Sequence, residues 1–168
     1  MTKVIRRRRP GWAEFFMRHA ALASTRSTCN RQQVGGVVVD RYNRILVGGY
    51  NGAPPGMPHC PPDEDLSPDA HCPRAVHAEK NIVSYASRIG ARLNGGVWYL
   101  YPFGPCLDCQ KVIITSGAIG VVIWSPPVRD ETISDNYVAL EQLRLAHVGI
   151  DYFYMPSIVK WCEEVWNG

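Results

Sequence analysis

The chain has 168 residues, 46% apolar and 20% charged, with a net charge of +3, enough to bury one sizeable core without disulfides. No run approaches the ~18 uncharged apolar residues of a membrane span, and so small a positive charge does not by itself point to nucleic acid. The basic start "MTKVIRRRRPGW" has no apolar stretch or cleavage site behind it, so a cytoplasmic protein is expected, one domain over 1–168 with a basic arm at 1–10 that is densest from Arg6 to Arg9.

From Gly11 to about Arg26, Trp12, Phe15, Phe16, Ala20 and Ala23 recur at helical spacing behind Pro10, which suits a helix start. "VGGVVVD" (34–40) and "RILVGGYN" (44–51) read as two strands of a hairpin, and their near-continuous apolarity predicts cover on both faces. Residues 51–73 hold seven prolines and form a long stiff loop, since proline fixes φ and lacks a backbone donor. Then come a helix at about 74–89, a strand at 96–101, a helix at 106–116, a strand at 119–124, a helix at 135–149, a short strand "IDYFYM" and a terminal helix "SIVKWCEEVWNG". Alternation of this kind predicts an α/β layered fold whose later strands are parallel, because each is followed by a crossover helix; only the first pair needs to be antiparallel.

Chemistry concentrates in "VHAEKNIV" (76–83) and "GPCLDCQK" (104–111). Cys106 and Cys109 lie three apart at a helix start, where free amide donors and the helix dipole favour thiolates, the form that ligates metal. His77 begins another helix, so two helix tips facing each other would assemble a Cys₂His site that leaves one position of a tetrahedral zinc open. Water at such a position ionises near about pH 7, and Glu79, two residues after His77, would carry its proton. His-x-Glu followed by Pro-Cys-x-x-Cys is the zinc-deaminase pattern, and Pro105 completes it. A purely structural zinc would want a fourth His or Cys close by and would leave Glu79 without a role.

A second group, Cys29, His59, Cys60, His71 and Cys72, offers enough nitrogen and sulfur donors for a closed tetrahedral site that ties the proline-rich loop to the domain. Cys29, Cys60, His71 and Cys72 are the preferred ligands, with His59 in reserve. Cys162 reads as a small buried apolar residue on the terminal helix. For Trp124 and Tyr99, core packing is the simpler assignment than walling a base pocket.

On these motifs the chain resembles the cytidine and deoxycytidylate deaminase superfamily, and "TCNRQQVGGVVVD", "GGYNGAPPG" and "HCPRAVHAEKN" resemble its dCMP-deaminase branch, with the likeness running from about Trp12 to Tyr154. The resemblance implies a three-layer α/β/α fold of the cytidine-deaminase type, with a five-stranded mixed sheet flanked by helices. It implies conversion of dCMP to dUMP and ammonia, for supply of pyrimidine deoxynucleotides. Catalytic Zn²⁺ would sit on His77, Cys106 and Cys109, Glu79 would move protons, and some members of the branch carry a structural Zn²⁺ at the second group. Asn51, Ala78, Arg26 and Ser27 would contact substrate, with Arg26, Ser27 and Arg31 near its 5′-phosphate. Gly49, Tyr50 and Gly52 would shape an effector site for dCTP as activator and dTTP as inhibitor, with Mg²⁺ accompanying the triphosphate, in a homohexamer. The alternatives are a deaminase that also accepts dCTP, a deaminase of tRNA or single-stranded DNA, and a zinc-stabilised nucleotide-binding protein.

Overall fold

In the computed structural model, which describes residues 9–61, 72–124, 134–155 and 158 and the side chains of all but 134–137 among them, nine elements follow one another. They are α1 (Trp12–Ser24), β1 (Gly35–Val39), β2 (Ile45–Tyr50), α2 (Ala78–Ile89), β3 (Val97–Tyr101), α3 (Leu107–Thr115), β4 (Gly120–Trp124), α4 (Ser134–Leu145) and β5 (Gly149–Phe153). Of the expected terminal helix only Ile158 is described, a buried residue of the α1-side core, and Cys162 lies outside the described residues.

The strands form one five-stranded sheet in the order β2-β1-β3-β4-β5. β1 is antiparallel to both β2 and β3, while β3, β4 and β5 run parallel. The mixed sheet with a leading hairpin and parallel later strands is therefore as expected. The β1–β3 pair adds a second antiparallel contact, because the chain passes from β2 through α2 into β3 on the far side of β1. β2 and β3 consequently point the same way, and α2 and α3, which follow them, start at the same edge of the sheet.

Strand side chains alternate between faces, and that alternation splits the core in two. Val37, Val39, Tyr99, Tyr101, Val122 and Trp124 pack with Phe16, Met17 and Ala20 of α1. Val38, Trp98, Leu100, Val121 and Ile123 pack with Ile82 of α2, Ile113 of α3 and Leu143 of α4. Helices on both faces of the sheet make the three-layer sandwich. Trp98, Leu100, Ile82, Ile113 and Leu143 are fully buried, and each such side chain contributes about 1.5–3 kcal/mol. The exposed Lys80–Asp108 pair, which joins α2 to α3 at 3.7 Å, belongs to a class worth about 0–1 kcal/mol. Apolar packing, not surface charge, sets how these two helices sit.

Two expectations change. α1 buries Phe16, Met17, Ala20, Ala21 and Ser24, while Trp12 and Phe15 stay exposed, so its inner stripe is turned relative to the sequence reading. β2 is not covered on both faces: it is an edge strand, with Ile45 and Tyr50 exposed. Trp124 and Tyr99 are core residues beneath α1. Among the described residues no helix is long and apolar enough to cross a membrane.

Candidate metal centre and active site

His77 and Cys106 are the residues on which α2 and α3 begin. Each has extended backbone, with φ/ψ of −65°/151° and −73°/173°, and each carbonyl accepts the first intrahelical bond, from Asn81 N–H at 3.0 Å and Gln110 N–H at 2.9 Å. Local sequence explains both starts. Gly52 and Val76 exchange backbone hydrogen bonds at 2.9 and 3.1 Å, which keeps the chain extended up to His77 and delays α2 to Ala78, four residues later than the periodicity suggests. Before α3, Pro105 is fully buried, and a Cβ at Gly104 would stand only 3.0 Å from Ile123 Cδ1. Neither cap position uses a side-chain hydrogen bond to its helix, which leaves the imidazole and the thiol for other work.

His77, Cys106 and Cys109 converge. His77 Nδ1 lies 3.5 Å from Cys106 Sγ and 3.4 Å from Cys109 Sγ. Zinc bonds of about 2.3 Å to sulfur and about 2.0–2.1 Å to nitrogen at tetrahedral angles give a nitrogen–sulfur edge of about 3.5 Å. The donor set therefore fits a zinc ion as it stands. It is also the one group of three or more potential metal-ligating side chains among the described residues, and Glu79 is not part of it. With three donors, a tetrahedral ion keeps one position for another ligand.

The electrostatics follow from the crowding of two thiols and one imidazole at two helix tips. Hydrogen bonds from Cys109 and His77 push the Cys106 thiol down to about 3, so it stands as a thiolate. The same contact with Cys106, then burial, pushes the Cys109 thiol far up. His77 is raised chiefly by its hydrogen bond to Cys106. Without a cation, the two sulfurs share one proton; a divalent ion is what lets both be thiolates. Glu79, in the first turn of α2, is only 4% exposed, lies against the Cys109 thiol, and has its carboxyl raised by burial. A carboxyl moved up toward neutrality is suited to taking and giving a proton in turn.

The remaining site residues fall into two further groups. Asn51, at the end of β2, is buried; its Oδ1 accepts from Ser27 Oγ at 2.6 Å and from Val34 N–H at 2.8 Å, and its Nδ2 donates to Gln32 O at 2.7 Å. Asn51 and Ser27 thus sit together at the centre of the 25–34 loop. Ala78 opens α2 and is fully buried. Arg26, by contrast, lines a groove of about 480 Å³ between α1 and β2 together with His19, Gly49 and Tyr50, which brings one residue expected at substrate to two expected at an effector. Gly52 packs against Thr28, whose Oγ1 would be 2.5 Å from a Cβ there.

In the second cysteine group, Cys60 and Cys72 place their sulfurs 3.4 Å apart, and the side chain of Cys29 hydrogen-bonds Cys72. His59 is exposed, and His71 lies outside the described residues. Sequence reasoning passed over Asn81, whose Nδ2 donates to Tyr50 O at 2.9 Å and ties the first turn of α2 to the edge strand. Its place four residues after His77, one helical turn on, is the only signal for it in the sequence.

A three-donor centre with a separate buried carboxyl is the equipment of a hydrolytic metal site. The chain belongs to the cytidine and deoxycytidylate deaminase family: the model of that family's zinc-binding region matches residues 10–125. Among its relatives is the ComE operon protein 2 of Bacillus subtilis, 35% identical over 148 residues, with 85% of this chain and 77% of that protein covered. The deoxycytidylate deaminase of Mycobacterium phage D29 is 38% identical over 125 residues, covering 68% of this chain and 94% of its own. Among solved structures, the dCMP deaminase from the cyanophage S-TIM5 in complex with dCMP and dUMP superposes with a TM-score of 0.67 at 28% identity, covering 89% of this chain and all of that one.

Proposed function

We propose that this protein hydrolyses dCMP to dUMP and ammonia at the His77–Cys106–Cys109 centre. The carrying observation is that Glu79 is buried beside a three-donor cluster to which it does not itself belong. His77, Cys106 and Cys109 would hold zinc, which supplies a Lewis acid that makes water nucleophilic near neutral pH. Glu79 has the other half of the work. Its carboxylate takes a proton from the attacking water, gives it to ring N3 of the cytosine, and then passes the second proton to the departing amine, so that C4–N is exchanged for C4–O and ammonia leaves. Burial aids this shuttle by bringing the carboxyl's two protonation states closer in energy at neutral pH.

Asn51 and Ser27 would contact the nucleoside and its phosphate edge, with Arg26 and Arg31 as phosphate partners. Ala78, fully buried at the start of α2, would form part of the pocket floor. In the second group, Cys29, Cys60, His71 and Cys72 would hold a structural zinc. Regulation by dCTP and dTTP, with Mg²⁺ on the triphosphate, would use the groove lined by Arg26, Gly49 and Tyr50, with Gly52 beyond it, in a homohexamer of cytoplasmic protein. Kinship with dCMP deaminases and the glycine-rich edge strand support that regulatory reading.

The test is ammonia release from dCMP, dCTP, cytidine and a cytosine-containing oligonucleotide, run on the wild type and on Glu79→Gln. The expected result is strong preference for dCMP, and a fall in kcat of about 10²–10⁴ in the variant with zinc content unchanged. Full turnover by Glu79→Gln would refute the proton-shuttle role. Preference for the oligonucleotide would move the chain to the nucleic-acid deaminases, and binding of dCMP with no ammonia released would make it a nucleotide-binding protein.

A further inference from the structure

The turn of α2 that carries Glu79 is not held by a cap of its own: His77 makes no side-chain hydrogen bond to the helix, so the first turn relies on its neighbours. Strand β2 and the residues after it supply them. Gly52 and Val76 exchange backbone bonds at 3.1 and 2.9 Å just before His77. Further along, Gly49 lets the helix come close, since a Cβ there would stand 2.8 Å from Ile82 Cγ1 and 3.5 Å from Ile82 N. Between these two contacts lies Asn81, whose Nδ2 donates to Tyr50 O at 2.9 Å and whose backbone N–H donates to His77 O at 3.0 Å.

The Tyr50 carbonyl faces away from the sheet. Asn51 N–H donates inward to Val34 O and Asn51 O accepts from Ser27 Oγ at 2.9 Å. Successive residues of a strand turn their backbone polar groups to opposite sides, so Tyr50 directs its own to the open edge of β2. Edge carbonyls are ordinarily left to water or to another strand. Here a carboxamide from the helix that bears Glu79 takes that place, adding a directional bond to a contact otherwise made of apolar packing and glycine clearance. Tyr50 is exposed and Asn81 half-buried, so water can replace the bond and the fold does not depend on it.

We infer that Asn81 is a positioning residue for Glu79: its carboxamide, anchored on the edge carbonyl of Tyr50, fixes the first turn of α2 and so the reach of the Glu79 carboxyl to the position that His77, Cys106 and Cys109 leave open. It thereby sets the rate of chemistry and not the affinity for substrate. This rests on the assignment of dCMP deamination and of proton transfer to Glu79. His77 is held from ahead by the Gly52–Val76 pair. Glu79 is no member of the three-donor cluster and is aimed by the turn and by its contact with Cys109. A displacement of about 1 Å at a reacting group costs about 10²-fold in rate. Asn51 and Ser27, expected at the nucleoside, are fixed by bonds of their own loop and stay in place.

The experiment measures kcat and KM for dCMP, zinc content, and hydrogen–deuterium exchange over residues 77–82 in the wild type, Asn81→Ala and Asn81→Asp. Aspartate has the shape of asparagine but no donor for a carbonyl, and an acid in the first turn favours a helix. A role in helix stability alone therefore predicts that Asn81→Asp equals or betters the wild type, whereas a donor role predicts that it behaves as Asn81→Ala does. The expected outcome is kcat lowered about tenfold to hundredfold in both variants with KM within about threefold, zinc content unchanged, and faster exchange over that segment. Wild-type kcat and exchange in Asn81→Ala, wild-type kcat in Asn81→Asp, a loss confined to KM, or failure of both variants to fold would each overturn the inference. Failure of the wild type to deaminate dCMP would instead refute the functional assignment, and the exchange comparison would still decide whether Asn81 holds the turn.

Discussion

A buried carboxamide with three partners on one loop is costly to remove. Replacing Asn51 by alanine strands Val34 N–H, takes one donor from the exposed Gln32 carbonyl and releases Ser27 Oγ, and an unsatisfied buried polar group costs about 1–3 kcal/mol. Asn51→Ala is therefore expected to lower the denaturant midpoint by the equivalent of about 1–3 kcal/mol, counting the one orphaned donor, as read by chemical unfolding; a change under about 0.5 kcal/mol would contradict the loop-organising role. The sequence gives Asn51 away only as an Asn-Gly pair after a strand, and its partners lie 17 to 24 residues back along the chain. His77, Glu79, Cys106 and Cys109 were legible for the opposite reason: their spacing is itself the geometry, because residues at and just after a helix start share one side of its first turn. Arg26 lies next to Ser27 in sequence and lines the groove between α1 and β2, a placement that no motif spacing carries.

At the scale of elements, α1 and β1 pack backbone against backbone. A Cβ on Gly35 would lie 2.3 Å from Ala20 O and 2.4 Å from Ser24 N, backbone atoms that cannot swing aside. Gly35→Ala is predicted to cost about 2–4 kcal/mol through displacement of α1 from the sheet, seen as a loss of thermal stability of roughly 4–16 °C; a wild-type melting temperature would show that α1 packs otherwise. Helix and strand identities were readable because their periods differ, and each described element lies within a few residues of its predicted span. What periodicity does not carry is which neighbour covers an element. β2 has the apolar composition of an interior strand but sits at the edge, since β3 pairs with the other side of β1. The inner stripe of α1 was likewise misplaced toward Trp12 and Phe15, because aromatic residues at helical spacing mark a face without saying whether the sheet reaches it.

Across the whole molecule, the centre exists because topology puts two helix starts at one sheet edge. β2 and β3 run in the same direction on either side of β1, α2 and α3 leave their carboxyl ends, and both pack on the same face through Ile82 and Ile113. Open α/β sheets place ligands outside the carboxyl ends of their strands for this reason. The alternation of helices and strands foretold the layers and the parallel strands, but not that β1 would separate β2 from β3, a long-range pairing with no local signature. An anomalous-difference map at the zinc absorption edge, from crystals of the active protein, tests the two-tip centre most directly. The account predicts a peak about 2.0–2.1 Å from His77 Nδ1 and about 2.3 Å from the sulfurs of Cys106 and Cys109, with no protein atom in the fourth position. No peak between the two helix starts, or a fourth vertex filled by a protein side chain such as Glu79, would contradict it.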